Sequence, residues 1–291
     1  MFNIAIKQED YLTYILKDLE TNSRLEIVPE KGGIITDWTI QGQKILYLDQ
    51  ERFKNPQLSV RGGIPILFPI CGNLPDNIFH YQEKEYILKQ HGFARDLPWQ
   101  VIRQSTDDSA NLVLSLTSNP ETLKVYPFEF ELKFTYKLAG NKLIIEQLYT
   151  NKSKGKIPFS VGFHPYFFCG DKSQLRLEIP ATEYYNKNAN KTYPFNGKLD
   201  YSLPEIDIAF TKIDSNKASF TDGKRNLKID ITYSDLFSTL VFWTLKDKDF
   251  VCVEPWSAPR NALNTGEQLN YLDKGENYQA SIVIEVIAYH F

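Results

Sequence analysis

Hydrophobic and polar residues alternate along much of the chain, and the longest alternating run lies near its middle. From Phe128 to Leu138 every second residue is aromatic or leucine, and the residues between them are Glu, Lys or Thr. A period of two is the pattern of a β-strand that buries one face. Ala139-Gly140-Asn141 then forms a turn into Lys142 to Thr150, so this region predicts a hairpin of two long strands.

Similar strand patterns recur along the whole chain, with no internal repeat, low-complexity tract or linker between them. Helical periodicity is nearly absent, although Asn119-Pro120-Glu121 suits the start of one short helical turn. We therefore predict one all-β domain over residues 1–291. With about fifteen strands or more it cannot stay a flat sheet, so we expect a large antiparallel β-sandwich. The other predicted strands are 11–16, 24–28, 34–40, 44–48, 111–117, 175–179, 218–220, 226–233, 239–245, 250–253 and 279–289.

Composition and charge exclude several classes of function. Apolar residues make up 42% of the 291 positions, which is enough to fill a sizeable core. The formal net charge is -3 and there is no basic stripe, so we expect no nucleic-acid partner. The N-terminus lacks a signal-peptide pattern and no apolar run approaches the ~20 residues of a membrane span. We therefore expect a cytoplasmic protein with no membrane partner.

Cysteine and histidine spacing supports neither a disulfide framework nor a metal centre. The scattered cysteines are interpreted as reduced thiols, and no histidine pair has His-x-x-x-His spacing. We expect no metal and no other cofactor, although a fold can bring distant ligands together. The residues concerned are Cys71, Cys169, Cys252, His80, His91, His164 and His290.

Two strand-poor segments carry candidate proton-transfer groups. His164 lies in the aromatic run Phe159-Ser-Val-Gly-Phe-His-Pro-Tyr-Phe-Phe168, and an imidazole can exchange a proton at neutral pH. A satisfied core histidine is the commoner fate of a lone one. Glu254 ends an apolar strand directly before a proline, where it is either a functional carboxylate or a structural one that pairs with Arg260 or caps a loop.

Two further segments carry arginines beside glycines. Arg61 precedes Gly-Gly, and Arg95 ends the segment Gln90-His-Gly-Phe-Ala-Arg95. Arginine binds planar or multi-oxygen anions through paired hydrogen bonds, and glycine lets the backbone approach a ligand closely. Ion pairs with Asp76 or Asp96 are the structural alternative.

Taken together, these segments resemble the aldose 1-epimerase (galactose mutarotase-like) superfamily. The resemblance covers nearly the whole chain, and it implies a β-supersandwich with a sugar in an open cleft on one face. It also implies an isomerase without a cofactor, and we expect a monomer or weak dimer. The matching motifs are Arg61-Gly-Gly-Ile-Pro-Ile-Leu-Phe-Pro69, Gln90-His-Gly-Phe-Ala-Arg95, Gly162-Phe-His-Pro-Tyr-Phe167 and Cys252-Val-Glu-Pro-Trp256.

The resemblance implies a role for each matching residue. Glu254 corresponds to the general base, His164 to the general acid, and His91 to a residue that hydrogen-bonds the sugar near its ring oxygen. Removing the O1 proton and protonating O5 breaks the C1–O5 bond, and the ring recloses after C1 turns. Poised proton transfer of this kind contributes about 10²- to 10⁴-fold.

The remaining assignments are less specific. Asp207 is the best match for a hydroxyl-binding aspartate, although Asp200 and Asp214 lie close by in the sequence. Aromatic rings can contact the C–H faces of a sugar, although core packing is their commoner fate. The rings considered for this contact are Trp99, Phe163, Tyr166 and Trp256.

Several functions remain open. Arg61 and Arg95 resemble the phosphate-binding arginines of the hexose-6-phosphate 1-epimerase branch, whereas Glu254-Pro-Trp256 resembles a bacterial aldose epimerase branch. We predict aldose 1-epimerase activity on an aldohexose, with a hexose 6-phosphate as the alternative substrate. A non-catalytic sugar-binding or sensor protein is a further alternative, as is a glycoside hydrolase that uses Glu254 and Asp207.

Overall fold

A computed structural model describes residues 1–288, and antiparallel strands dominate it. The predicted end of the last strand at Tyr289, and His290, lie outside the described residues. The strands are β1 (Phe2–Gln8), β2 (Leu12–Asp18), β3 (Ser23–Val28), β4 (Ile34–Ile40), β5 (Gln43–Lys44), β6 (Ile66–Leu67), β7 (Ile78–Tyr81), β8 (Lys84–Ile87), β9 (Gln100–Ser105), β10 (Ala110–Thr117), β11 (Phe130–Ala139), β12 (Lys142–Asn151), β13 (Ile157–Phe159), β14 (Gly162–Phe163), β15 (Tyr166–Phe168), β16 (Leu175–Glu178), β17 (Glu183–Asn186), β18 (Lys191–Pro194), β19 (Glu205–Phe210), β20 (Lys217–Asp222), β21 (Leu227–Tyr233), β22 (Thr239–Leu245), β23 (Phe250–Trp256), β24 (Asn270–Leu272) and β25 (Asn277–Ala288). The helices are α1 (Gln50–Lys54), α2 (Pro120–Val125) and α3 (Ala262–Thr265).

Two eight-stranded sheets form the body of the molecule. We call the first the core sheet, with strand order β16-β20-β21-β25-β12-β11-β10-β9. The second, the cleft sheet, has the order β18-β17-β19-β22-β23-β14-β6, with β15 also paired to β23. Strands β1 to β5 form a separate five-stranded sheet, and buried residues from all three sheets share one hydrophobic core. The predicted antiparallel β-sandwich is confirmed.

The β11–β12 hairpin shows why the pattern of residues was informative. Buried and partly buried side chains alternate through all of β11, and Phe134 pairs with Gln147 across the hairpin. On the buried face the Tyr136 hydroxyl donates a 2.8 Å hydrogen bond to the carbonyl of Gly33. The predicted short helix is also present, because Asn119 accepts hydrogen bonds from the first turn of α2.

Other local predictions differ from the structure. Within 44–48 only Lys44 belongs to a strand, and Leu46 and Leu48 form single bridges to Phe167 and Gly62. Strand β1 was missed because it lies at the edge of the five-stranded sheet, where its residues are only partly buried. The hairpins β7–β8 and β17–β18 and the short helix α1 were also missed. No helix among residues 1–288 is long and apolar enough to cross a bilayer.

Strand β23 positions the candidate site. All seven of its residues are buried, so the strand is covered on both faces. Val251 and Val253 belong to the main core, whereas Cys252, Glu254 and Trp256 alternate with them on the opposite face. Neighbouring strands continue this second face, which is the floor of the cleft described below.

Candidate active site

The structure brings all six predicted site residues to one cleft on the cleft sheet. The cleft has a volume of about 270 Å³. Its floor follows the register of three adjacent strands, with Asp207 opposite Trp243 and Val241 opposite Glu254. The six predicted residues that line it are Arg61, His91, Arg95, His164, Asp207 and Glu254.

His164 and Glu254 form a buried pair at the centre of the floor. His164 Nε2 lies 3.4 Å from Glu254 Oε1, and the Glu254 residue is only 1% exposed. The His164 backbone N–H donates to the carbonyl of Pro65 at the point between β14 and β15. The Tyr166 ring stacks on the imidazole with a centroid distance of 4.5 Å and an interplanar angle of 7°. His164 Nδ1 is buried and has no hydrogen-bond partner among the described residues.

The surroundings of the pair favour the uncharged form of each member. Burial raises the pKa of Glu254 well above its usual range, and the negative charge of Asp207 adds to that rise. Burial, together with the positive charge of Arg95, lowers the pKa of His164 to about 3. Both shifts favour a protonated Glu254 carboxyl and an unprotonated His164 imidazole, so a proton of the pair lies preferentially on the carboxyl.

A hydrogen bond from Trp256 opposes the rise in the Glu254 pKa. The Trp256 Nε1–H donates to Glu254 Oε2 at 3.1 Å, which stabilises the ionised carboxylate. The guanidinium of Arg260 lies over the Trp256 ring, 5.2 Å from its centroid, and its charge lowers the same pKa. These two groups partly offset the effect of burial on the Glu254 pKa.

Two hydrogen bonds with the backbone of Gly72 hold His91 in place. Its own N–H donates to the carbonyl of Gly72, and the Gly72 N–H donates to His91 Nδ1 at 3.1 Å. The neutral ring must then carry its proton on Nε2, 3.3 Å from the side-chain amide of Gln90. Burial lowers the His91 pKa well below its usual range, so the ring is a neutral donor. The residue has a positive φ of 66° and is followed by Gly92, where a Cβ would lie 2.1 Å from a backbone carbonyl oxygen of Phe68.

Asp207 lies in the cleft, paired with an arginine from the loop after β23. Both Asp207 oxygens accept hydrogen bonds of 3.0 Å from Arg260 Nη2. The alternative in which Arg260 pairs with Glu254 is therefore wrong. Asp200 and Asp214 are exposed and do not line the cleft.

Arg61 and Arg95 reach the cleft without a carboxylate partner. Among residues 1–288 neither arginine forms an ion pair, so the alternatives with Asp76 and Asp96 are wrong. The Arg61 guanidinium lies over the Trp243 ring at 5.9 Å. Arg95 donates to the Gln90 carbonyl at 2.9 Å, and its buried Nε has no partner in the described chain.

Two of the four rings considered for sugar contact line the cleft. Tyr166 and Trp256 line the cleft, but Phe163 and Trp99 do not. Trp99 packs on Phe134 in the core and donates to the carbonyl of Ala94. The sequence reasoning missed Trp243, Lys187 and Arg260 as cleft residues. Trp243 lies on a predicted strand and shares a face with Val241, but the sequence does not show that this face lines the cleft.

One group of possible metal ligands comes together in the fold. Ligand atoms of His164, Cys252 and Glu254 all lie within 4.8 Å of one another. Burial, together with the charge of Glu254, raises the pKa of the Cys252 thiol well above its usual range. The sulfur therefore stays protonated at neutral pH, and a thiol binds metal poorly until it loses that proton.

Comparisons with known proteins show the family to which the chain belongs. The profile of the family described as Aldose 1-epimerase matches residues 18–285. "Protein LacX, plasmid" of Lactococcus lactis subsp. lactis is 28% identical over 91% of this chain and 91% of its own length. A Cenchrus ciliaris protein named "Putative glucose-6-phosphate 1-epimerase" is 28% identical over 81% of this chain and 76% of its own.

A solved structure is also similar over almost its full length. The crystal structure of the Slr1438 protein from Synechocystis sp. PCC 6803 is 51% identical. It superposes with a TM-score of 0.95, and the match covers 99% of this chain and 100% of that one. The profile match spans far more than half of the chain, and the chain belongs to the aldose 1-epimerase family.

Proposed function

We propose that this protein interconverts the α and β anomers of an aldohexose, with Glu254 as general base and His164 as general acid. The observation that carries the proposal is the buried pair, in which Nε2 and Oε1 lie 3.4 Å apart at the floor of a sugar-sized cleft. Anomer exchange needs one acid and one base within reach of two adjacent oxygens, O1 and O5. A pair that shares one proton meets that requirement in both directions.

The proposed reaction moves two protons between the pair and the sugar in its first half and returns both in its second half. When the shared proton lies on His164, the Glu254 carboxylate removes the O1 proton while His164 gives its proton to O5. The C1–O5 bond breaks, and the products are the open-chain aldehyde, a neutral imidazole and a protonated Glu254. After rotation about C1–C2, Glu254 returns its proton to the aldehyde oxygen and His164 removes the O5 proton. Ring closure then gives the other anomer.

The neighbouring residues fit the positioning of a sugar. The neutral His91 ring lines the cleft, and its Nε2–H can donate to a ring or hydroxyl oxygen of a sugar. Asp207 keeps acceptor capacity beyond its two bonds from Arg260, because each carboxylate oxygen has a second lone pair. We propose that His91 and Asp207 hold the sugar while the pair exchanges protons.

Anomer exchange measured by NMR on free aldohexoses tests the proposal. Glu254→Gln and His164→Asn should each slow exchange by at least about 100-fold. Glu131→Gln, which removes a carboxylate of the core sheet far from the cleft, should leave the rate unchanged. If wild type binds sugars but exchanges none of them, the protein is a sugar-binding module. If Glu254→Gln retains the wild-type rate, the assigned base is wrong.

A phosphorylated hexose is the second candidate substrate. Arg61 and Arg95 line the cleft with no carboxylate partner in the described chain, and Lys187 lies on the same lining. Cationic side chains that form no ion pair are suited to bind a phosphate group, and arginine binds phosphate through paired hydrogen bonds. Arg61→Ala and Arg95→Ala should then raise KM for hexose 6-phosphates and leave KM for free hexoses unchanged. Equal effects on both substrates would argue against a phosphate site.

A further inference from the structure

A second cavity lies on the five-stranded sheet, and we call it the N-terminal cavity. It has a volume of about 690 Å³, and residues of β3, β4 and α1 line it. Within residues 1–288, no residue lines both this cavity and the cleft. A ligand in the N-terminal cavity would therefore be held by groups that take no part in the proposed sugar site.

An irregularity in β4 turns two consecutive side chains into the N-terminal cavity. Residues 26 and 27 of β3 pair with residues 37 and 35 of β4, so Thr36 is an extra residue without a partner on β3. In a regular strand neighbouring side chains point to opposite faces, whereas Thr36 and Asp37 both line the cavity. Such β-bulges re-aim side chains and are over-represented next to functional sites.

The re-aimed Thr36 brings an unused hydroxyl to the cavity. The residue is only 5% exposed, and its hydroxyl has no hydrogen-bond partner in the part of the chain that the structure describes. Buried hydroxyl groups normally form a hydrogen bond, and leaving one without a partner costs free energy. A polar group bound in the cavity would supply the missing partner.

The carboxylates beside Thr36 carry more negative charge than the arginine between them neutralises. Arg24 Nη1–H donates to Asp37 Oδ2 at 3.3 Å, and Arg24 Nη2–H donates to Glu26 Oε1. One guanidinium thus serves two carboxylates whose residues are paired across β3 and β4. Burial, and after it the charge of Glu26, raise the pKa of Asp37, as expected of a carboxylate with too little compensating charge.

The other charged residues of this lining are already paired. Lys54 Nζ lies 3.4 Å from Asp10 Oδ2. Glu9 Oε1 lies 2.5 Å from the ammonium group of Lys7, which does not itself line the cavity. With these ion pairs formed, the excess beside Thr36 is a single negative charge. One positive charge on a ligand would balance it.

The lining also includes an apolar wall. Val28, Leu48 and Phe53 belong to a small buried hydrophobic cluster that is separate from the main core. The Tyr11 ring packs edge to face on Phe53, with centroids 5.4 Å apart, and lines the cavity as well. An apolar wall with a few polar groups at one place is typical of sites for small organic molecules.

We propose that the N-terminal cavity binds a small organic monocation, namely a primary ammonium ion carried on an apolar body. The three N–H groups of the ammonium match three acceptors, the side-chain oxygens of Glu26, Thr36 and Asp37. The apolar body packs on the apolar wall. This site does not depend on the proposed function, and no bond forms or breaks in it.

Calorimetric titration with benzylamine, which is charged at neutral pH, tests the proposal, with benzyl alcohol as the neutral probe of similar shape. Wild type should bind benzylamine at least about 10-fold more tightly than benzyl alcohol, as expected for hydrogen bonds to charged groups. Asp37→Asn should weaken benzylamine binding by about 10-fold or more, and Thr36→Val, which keeps the shape, by about 2- to 10-fold. Thr39→Val removes a hydroxyl of the same strand that does not line the cavity, and it should bind benzylamine as wild type does.

Four outcomes would overturn the site. Wild type that shows no saturable binding of benzylamine has no such site. Equal affinity of wild type for the two probes would mean that the cavity selects the apolar body and not the charge. Glu254→Gln should bind benzylamine as wild type does, and a loss of binding there would place the amine in the cleft instead. If Asp37→Asn does not fold, the comparison of Thr36→Val with Thr39→Val still decides, because equal benzylamine affinities of these two variants would exclude the proposed contact.

Discussion

Replacing Trp256 by phenylalanine tests how one hydrogen bond affects the pKa of Glu254, the proposed general base. The substitution keeps an aromatic ring but removes the Nε1–H that donates to Glu254 Oε2 at 3.1 Å. Only the ionised carboxylate gains from this donor to the full extent of a charge-assisted hydrogen bond. The variant should therefore raise the pKa of Glu254 further, in the same direction in which burial already moves it.

The size of the effect follows from the energy of that bond. A hydrogen bond to a charged group contributes about 1.5–3 kcal/mol. Since one pKa unit corresponds to about 1.36 kcal/mol, the pKa should rise by about 1–2 units. The fraction of protein with Glu254 ionised and His164 protonated should then fall by roughly 10- to 100-fold. Because that form is the reactive one in the proposed mechanism, kcat/KM on its neutral plateau should fall by the same factor.

The assay is NMR anomer exchange as a function of pH. The active pair carries one proton, so the alkaline limb of kcat/KM reports loss of that proton from Glu254, and it should move to higher pH in Trp256→Phe. Trp243→Phe is the matched control, because it removes an indole N–H that donates to Glu205 and not to Glu254. The reasoning is refuted if the alkaline limb of Trp256→Phe stays in place, or if Trp243→Phe moves it equally.

Three further predictions concern stability. Because the folded state holds a proton on Glu254 that the unfolded state loses near pH 4.5, stability should be lost as pH rises above that value. Glu254→Gln should then melt at a higher temperature than wild type at neutral pH, with the gap closing in acid; a constant gap would contradict this. His91 and His164 have lowered folded pKa values, so their contribution is complete above about pH 6.5. It should be lost as pH falls toward about 3, and His164→Asn should flatten the acid loss seen in melting temperature; parallel curves would count against it. Gly92→Ala puts a Cβ 2.1 Å from a carbonyl oxygen at a φ of 69°, so it should lower the denaturant midpoint by an amount worth at least about 1–3 kcal/mol. Gly42→Ala, which has a similar φ but open space around it, should cost less; equal losses would show that the contact is unimportant.

The sequence predicted most of the strands that bury one face, for a physical reason. In β11 and β12 the period of two follows directly from which side faces the core, so the hairpin could be read from the pattern. Edge strands lack that constraint. Strand β1 is only partly buried, and its weaker alternation was not recognised.

Part of the candidate site could also be predicted from the sequence, and part could not. The residues proposed for proton transfer lie in motifs that could be recognised, and the structure places all six predicted residues on one cleft. Their partners could not be predicted, because they depend on packing between distant segments. Arg260 pairs with Asp207 across two strands, and Cys252 lies near His164 only because β15 pairs with β23. The sequence has no local signal for such contacts.

The strand order of the cleft sheet predicts that the floor of the cleft forms late in folding. Leu67 pairs with Gly162, and Gly162 pairs with Trp256, so the floor joins three segments that are far apart in the chain. Contacts between such distant segments form slowly, because the long intervening loops must close first. The β11–β12 hairpin, by contrast, closes through neighbouring residues. During refolding, strand signal should therefore return before the proposed anomer exchange, which would make that activity a late reporter of the completed fold.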